Sequence, residues 1–325
     1  MNATVTARAH TNIALVKYWG KADTDLIIPQ TGSLSLTLDQ FYTDTTVVFD
    51  DRLTADEVSV NGQRLSTSQA TKVHNFLNLV RQQSSRTSFA RVTSVNHVPT
   101  AAGLASSASA FAALAGAASR AAGLTLDRTA LSRLARRGSG SATRSVFGGF
   151  VEWHAGHDDL SSYGVPFVED VDWPIAVVAL VLDPHHKKIS SRQGMQSSVN
   201  TSPFYPAWKQ IVADDLAAIK PAILAHDFTT VGETLESNAM RMHALTLSAW
   251  PPYSYFNGDT LGAMQTVKEL RAQGIACYYT LDAGPNLKVF CQTADVPALT
   301  ARFTQQFGAN NVIVAHPGPG IQFLD

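Results

Sequence analysis

The sequence predicts an α+β fold with a division near Pro184. Two observations carry that reading. Before residue 184, β-branched residues alternate with polar ones between turn signals, whereas after it long helical patterns dominate. Strands and helices are also partly segregated along the chain, which argues against a doubly wound parallel sheet. The expected units are residues 1–184 and 185–325, and a length of 325 residues accommodates two domains.

In chain order, TVTARAHTNIALVKYWG, SLSLTLDQ and YTDTTVVFD read as strands. ADEVSVNGQRL holds an Asn-Gly pair between two candidate strands, a hairpin signal. In TSQATKVHNFLNLVRQQ, Val73, Phe76, Leu77 and Val80 fall at helical spacing, with Thr67 or Ser68 as the expected cap. FARVTSVNHVP is a strand, and the Ala/Ser-rich PTAAGLASSASAFAAL (99–114) a helix. TLDRTALSRLARRGSGSATRS is a helix with a Gly/Ser break, and VDWPIAVVALVLDP a buried strand. Residues 202–249 and GDTLGAMQTVKELRAQG are mainly helical, IACYYTLDAGPNLKVFCQ is a hairpin, and NNVIVAHPGPG holds a last strand. No internal repeat or low-complexity tract is visible.

Hydrophobic residues make up 45% and charged residues 16%, which supports a sizeable core and argues against disorder. The formal net charge is −1, so no global field draws the chain to nucleic acid or anionic membrane. Cys277 and Cys291 lie in neighbouring apolar segments; a bridge is conceivable, but buried thiols in a reducing compartment are expected. MNATVTARAH lacks the apolar run of a secretory signal, and the longest such run, PIAVVALVL (174–182), is too short to span a bilayer. The expectation is a soluble, cytoplasmic protein.

PTAAGLASSASAFAAL is small and nearly uncharged. A helix N-terminus presents unpaired N–H groups and partial positive charge, and small residues let a phosphate reach them. Gly103 gives backbone freedom, and Ser106 and Ser107 give hydroxyls for phosphate oxygens or a metal-bound water. The same composition equally suits a helix packed tightly on a sheet. No Gly-Lys-Ser/Thr follows, so this is not a Walker A loop. TNIALVKYWGK sets Lys17 and Lys21 beside Tyr18 and Trp19, on one face if the chain stays extended; a solvated pair at a strand end is the alternative. RRGSGSATRS joins Ser139, Gly140 and Ser141 to Arg144, as an anion nest or a flexible linker. HHKKISSRQGM gathers Lys187, Lys188 and Arg192 around two serines, as a phosphate contact or a basic surface loop. In TLDAGPN, the turn alone accounts for Asp282. Four such clusters in a near-neutral chain suit a ligand with several phosphates, such as ATP with a phosphorylated substrate.

NIALVKYWGK, PTAAGLASSASAFAAL, RRGSGSATRS, KKISSRQGM and YYTLDAGPN, in this order, resemble the successive motifs of the diphosphomevalonate decarboxylase family of the GHMP kinase superfamily. The Ala/Ser-rich loop belongs to the whole superfamily, while ALVKYWGK and RRGSGSATRS are more specific to the decarboxylase branch. The resemblance implies a two-domain GHMP kinase fold with a deep cleft between the domains, commonly as a homodimer. It implies ATP-dependent 3-phosphorylation and decarboxylation of (R)-mevalonate 5-diphosphate to isopentenyl diphosphate, ADP, phosphate and CO2, in the mevalonate pathway of isoprenoid biosynthesis, with Mg2+ accompanying ATP. By this resemblance Tyr18, Lys21, Ser139, Gly140, Ser141, Arg192 and Met195 form the diphosphate pocket, and Lys17 adds positive charge there. Arg144 matches a carboxylate clamp, Asn12 the residue that orients it, and Asp282 the residue beside the C3 hydroxyl, as proton acceptor or as orienting group. Gly103, Ala105, Ser106 and Ser107 match the nucleotide-phosphate contacts, with Ser106 also at the metal. Lys187 or Lys188 reaches the β/γ-phosphates, and Ser94 and Asn96 lie toward the adenosine.

The alternatives are a mevalonate 3-kinase, which would leave Lys21 and Arg192 little to bind, a phosphomevalonate decarboxylase, and a non-catalytic nucleotide-binding module. The last would need neither Asp282 nor Arg144. A metal hydrolase is disfavoured, because His154, His157 and the His185–His186 pair lie in expected loops without further ligands at suitable spacing.

Overall fold

The computed structural model describes residues 3–98, 106–183 and 189–324. In chain order its elements are β1 (Thr4–Val16), β2 (Lys21–Asp23), β3 (Ile28–Pro29), β4 (Ser33–Asp50), β5 (Glu57–Val60), β6 (Gln63–Arg64), α1 (Thr67–Gln83), β7 (Phe89–Asn96), α2 (Ser106–Ala121) and α3 (Arg128–Gly138). There follow β8 (Phe150–His154), β9 (Tyr163–Val168), β10 (Ile175–Leu180), α4 (Ser191–Thr201), α5 (Tyr205–Leu224), α6 (Phe228–Leu247) and α7 (Gly258–Ala272). The chain closes with β11 (Cys277–Leu281), β12 (Leu287–Gln292), α8 (Val296–Phe307), β13 (Val312–Ala315) and β14 (Gln322–Leu324).

The α+β expectation holds. The main path of the first sheet runs β14-β1-β4-β7-β5-β6, with β8 and β9 joined through β4; the second sheet runs β11-β12-β10-β13. The sheets change between β9 and β10, one strand ahead of the expected division after residue 184. The reason lies in β10. Ile175, Val177 and Ala179 face one core and Ala176, Val178 and Leu180 another, so this strand is apolar throughout and pairs with β12 and β13.

Three apolar clusters bind the layers. One face of the first sheet packs on α1, α2 and α3 through residues such as Val47, Phe76, Ala113 and Leu134. The far face of the second sheet packs on α7 and α8 through Val267, Leu299 and Phe303. Between them a shared cluster unites Leu15 and Leu36 of the first sheet, Val177 and Phe290 of the second, and Trp208 and Leu235 of α5 and α6. The two sheets therefore share a continuous core.

Local signals explain most elements. Asn61 and Gly62 both adopt positive φ in the β5–β6 connection, as a two-residue hairpin turn demands. The cap of α1 is Ser66, one residue before the expected Thr67 or Ser68, because Ser66 and Gln69 form a reciprocal capping box. Cys277 and Cys291 are opposed across β11–β12 as free, buried thiols, and burial pushes them up to about 11 and about 12. The body of α2 is Ala-rich because it lies against β1 and β4, with Ala112, Ala113, Ala115, Ala117 and Ala118 fully buried. Its first turn, Ser106 and Ser107, is exposed, as is Arg120 near its other end. Among the described residues, no helix is long and apolar enough to cross a membrane.

The close approach of α6 to β11 depends on Gly232, where a Cβ would overlap the Tyr278 ring. Gly232→Ala is expected to lower unfolding stability by about 2 kcal/mol, the usual scale of overpacking. Urea denaturation of the two proteins checks this, and equal stability would show that the ring yields freely.

Candidate active site

A break in the β1–β4 register creates the site. Pairing shifts between His10 and Asn12, and the faces exchange there: Ala7 and Ala9 point to the α2 side, Ile13 and Leu15 to the shared core. Asn12 is thereby placed toward the segment after α3. Its Nδ2 donates to the Ser141 carbonyl at 3.0 Å and to Ser145 Oγ at 2.8 Å, and its Oδ1 accepts from Arg144 Nη2 at 3.1 Å. Arg144 also donates to Ser33 Oγ and lies 5.8 Å from the Trp153 ring.

At the end of β1 the Lys17 side chain is 2% exposed. Its backbone N–H donates to Asn238 Oδ1 of α6, and Asn238 Nδ2 donates to Asp215 of α5. Lys17 Nζ donates to the Ala14 carbonyl at 2.7 Å and to Asp282 Oδ1 at 2.9 Å. Asp282 follows β11, its backbone carbonyl closing a turn to Gly284 N. Its second oxygen lies 3.2 Å from Nζ of Lys288, a buried lysine of β12. One carboxylate is thus shared by two ammonium groups.

Burial and charge compete here. Burial alone would raise the Asp282 carboxyl, yet Lys17 and Lys288 outweigh it and hold the group well below the usual carboxylate range. Burial lowers Lys17 to about 8 despite Asp282, with Lys288 and Arg144 adding repulsion. Burial lowers Arg144 to about 10, so it stays charged at neutral pH. His243 of α6 completes the cluster. It is 1% exposed, both ring nitrogens lack a hydrogen-bond partner among the described residues, and burial, then Lys17, lowers it to about 3.

A second group lines the opening beside α2. Ser107 Oγ is 3.2 Å from Ser139 Oγ, which is 3.3 Å from Ser141 Oγ. Gly140 is required between them, since a Cβ would stand 2.9 Å from Tyr18 and 3.0 Å from Trp153. The Tyr18 hydroxyl is buried with no partner among the described residues, and burial raises its pKa. Lys21 is lowered by burial and by Arg192; Lys72, exposed on α1, is also lowered, with Arg192 and Lys21 repelling its charge. Three cations therefore repel one another around this opening. Arg192 is exposed on the first turn of α4, while Met195 is buried in the shared core. Tyr253 Oη donates to the Gly194 carbonyl at 2.7 Å and so fixes α4.

The third group lies along β7. Asn96 Oδ1 accepts from Thr43, whose hydroxyl also meets Ser109 of α2 at 2.8 Å, and Ser94 pairs with Thr45 at 2.7 Å. Ser94 and Asn96 thus line the strand that leads to the exposed Ser106 and Ser107. Gly103, Ala105, Lys187 and Lys188 lie outside the described residues.

Lys17 and Lys21 do not share a face. The chain leaves the strand after Val16, Gly20 turns it with φ +114°, and Tyr205 holds the Trp19 carbonyl at 2.8 Å. Lys17 consequently meets Asp282 while Lys21 faces Arg192. His154 ends strand β8 and is not in a loop. Among the described residues, no cluster of three or more His, Cys, Asp or Glu could hold a metal. Lys288, Lys72, His243, Ser33 and Asn238 were not evident from sequence reasoning. Lys288 did leave a signal, as one charge inside the apolar run of β12.

Comparisons with known proteins agree over almost the whole chain. A family model described as "Diphosphomevalonate decarboxylase-like N-terminal domain" matches residues 9–164, and "Mevalonate 5-diphosphate decarboxylase C-terminal domain" matches 177–317. Diphosphomevalonate decarboxylase of Homo sapiens is 37% identical over 309 residues, covering 89% of this chain and 76% of the human protein. The solved mevalonate diphosphate decarboxylase from Enterococcus faecalis aligns with a TM-score of 0.94 at 48% identity, covering 99% of both chains. A structure described as "MDDEF in complex with MVAPP, AMPPCP and Magnesium" aligns with the same score, identity and coverage.

The neutral, buried His243 predicts a pH dependence of stability. Its folded pKa of about 3 lies below the ordinary 6.5, so below pH 6.5 the unfolded chain takes up the proton first and stability is lost as pH falls toward 3. Between pH 7 and 5 this should amount to about 2 kcal/mol. His243→Phe is expected to show a correspondingly smaller loss in denaturation experiments at the two pH values; an unchanged loss would refute the assignment.

Proposed function

The chain belongs to the diphosphomevalonate decarboxylase family, and on that premise we propose how its residues divide the work. The reaction is the ATP-dependent conversion of mevalonate 5-diphosphate to isopentenyl diphosphate, ADP, phosphate and CO2. A tertiary hydroxyl at C3 is a poor leaving group. Phosphorylation makes its departure feasible, positive charge develops at C3, and the neighbouring carboxylate releases CO2 and leaves its electrons in the alkene.

The observation that carries the assignment is Asp282, held by Lys17 at 2.9 Å and Lys288 at 3.2 Å in a cluster that includes Arg144. Asp282 meets the C3 hydroxyl. An ion-paired carboxylate far below its usual range is a weak proton acceptor, so Asp282 orients the hydroxyl and receives its proton late. A loose phosphoryl-transfer transition state tolerates that order. Lys17 carries positive charge toward the group being transferred. Arg144, fixed by Asn12 and Ser33, receives the substrate carboxylate with its planar guanidinium. Ser139, Gly140, Ser141, the buried Tyr18 hydroxyl, Lys21 and Arg192 take the diphosphate, with Met195 packed beneath and Lys72 as an additional cation. Binding this polyanion relieves the mutual repulsion of Lys21, Lys72 and Arg192.

ATP and Mg2+ are required. The exposed hydroxyls of Ser106 and Ser107 at the first turn of α2 fit nucleotide phosphates, and the family resemblance assigns Gly103 and Ala105 to the same phosphates. Ser94 and Asn96 lie toward the adenosine, and Lys187 or Lys188 toward the β/γ-phosphates. A donor set of hydroxyls suits an Mg2+ held chiefly by phosphate oxygens, with Ser106 as its protein contact; the ion supplies charge neutralisation. We further propose a cytoplasmic homodimer: the free thiols support a reducing compartment, and family membership supports the dimer.

Incubation with ATP, Mg2+ and mevalonate 5-diphosphate should release CO2 and ADP in equal amounts. ADP without CO2 would mark a kinase. Asp282→Asn should fold, bind both substrates and lose nearly all turnover; retention of wild-type kcat would reduce Asp282 to a turn residue. The two arginines should separate kinetically. Arg144→Lys keeps charge but loses the fork at the reacting carboxylate and should mainly lower kcat, whereas Arg192→Lys touches the unreactive diphosphate and should mainly raise KM. Each change should cost about 30- to 1000-fold in kcat/KM, as loss of a charge-assisted contact does. The opposite kinetic pattern would mean the two partners are interchanged.

A further inference from the structure

We infer that Lys288 is a positioning residue for the reaction, acting through Asp282. The inference rests on the role given above to Asp282 and extends it to a residue outside the recognised motifs.

Up to its exposed last residue, Gln292, β12 is otherwise apolar: Leu287, Val289, Phe290 and Cys291 are fully buried around a lysine that is itself 1% exposed. Replacing a whole buried ion pair by apolar side chains of similar size is often neutral or stabilising, so packing alone does not account for paired charges here. Geometry does. In the β11–β12 register Lys288 stands opposite Thr280, two residues before Asp282. Its Nζ donates to the Asn286 carbonyl at 3.2 Å and lies 3.2 Å from Asp282 Oδ2. Lys17 holds the other oxygen, Oδ1, at 2.9 Å. Each carboxylate oxygen therefore has its own cation, and rotation of the carboxylate would break both pairs.

Among the described residues, the charged and titratable groups facing Asp282 include Lys17 from the end of β1, Lys288 from β12, Arg144 from the segment after α3, and His243 from α6. Asp282 is the one anion in this set. Lys288 thus keeps the carboxylate ionised and fixed, and it also repels Lys17. Without Lys288, proton affinity should rise at both Asp282 and Lys17.

The test is the steady-state kinetics of Lys288→Met, Lys288→Gln and Lys288→Arg in the full-length enzyme, each checked for folding by thermal melting. In the Met and Gln variants kcat should fall about tenfold or more while KM for ATP and mevalonate 5-diphosphate stays within about threefold. Both limbs of the kcat–pH profile should move to higher pH. Lys288→Arg should recover most of kcat and restore the limbs. Wild-type kcat, a loss confined to KM, or a loss with both limbs unmoved would overturn the proposal. If Met and Gln fail to fold, the Arg variant decides alone: recovered kcat with unmoved limbs supports the role, and inactivity of a folded Arg variant refutes it. If the wild-type enzyme itself releases no CO2, the underlying reading fails instead.

Discussion

The ion pair between Lys17 and Asp282 is the constraint around which the candidate site is arranged. It joins the end of β1 in the first sheet to the end of β11 in the second. Neither partner is cheap to bury alone, and an unpaired charge at this depth would cost several kcal/mol. The surrounding structure therefore fixes both. Asn238, backed by Asp215, holds the Lys17 backbone from α6, and the β11–β12 hairpin holds Asp282. The shared apolar cluster beneath keeps the two sheets at a constant separation. Side chains contributed by distant parts of the chain meet at this junction because the sheets meet there.

Around the pair, positive charge is divided by depth. Lys17, Lys288 and Arg144 are buried and face one carboxylate, whereas Lys21, Lys72 and Arg192 crowd the opening and repel one another. The deep set is neutralised in part and rigid. The outer set is held in an unfavourable arrangement that a polyanion improves, a common compromise between stability and function. On the division of roles proposed above, separating the two sets keeps the unreactive diphosphate away from Asp282.

The legibility of this arrangement in the sequence varied with its physical origin. β10 was readable because both faces are buried and the apolar run is continuous. The β5–β6 hairpin was readable because Asn-Gly dictates its turn. By contrast, α4 buries only Gly194, Met195 and Ser198, too narrow a stripe for a helical period to show. Strands β8 and β9 and helix α8 were also missed. The motif residues Asn12, Ser139, Gly140, Ser141, Arg144 and Asp282 could be named, but their convergence could not, since it depends on the register break in β1 and on Gly140 lying against Tyr18 and Trp153. Lys288 was hidden for the same reason: its partner is set by hairpin register, a long-range quantity. The Ala-rich α2 had two explanations in the sequence, and both apply to different parts of it. Its body is small for packing, and its exposed first turn faces the opening.

The pairing of β14 with β1 has a consequence for how the molecule comes into being. Thr6, Ala7 and Arg8 take their edge partners from Leu324, Phe323 and Gln322, and Gly116 of α2 lies under Ile321. One edge of the first sheet is thus closed by residues from the opposite end of the sequence. During synthesis that edge remains open until the ribosome has delivered the second sheet, and such widely separated contacts form slowly. The nascent N-terminal half therefore spends its longest interval with an unpaired strand edge, the form of the chain most exposed to association with its neighbours.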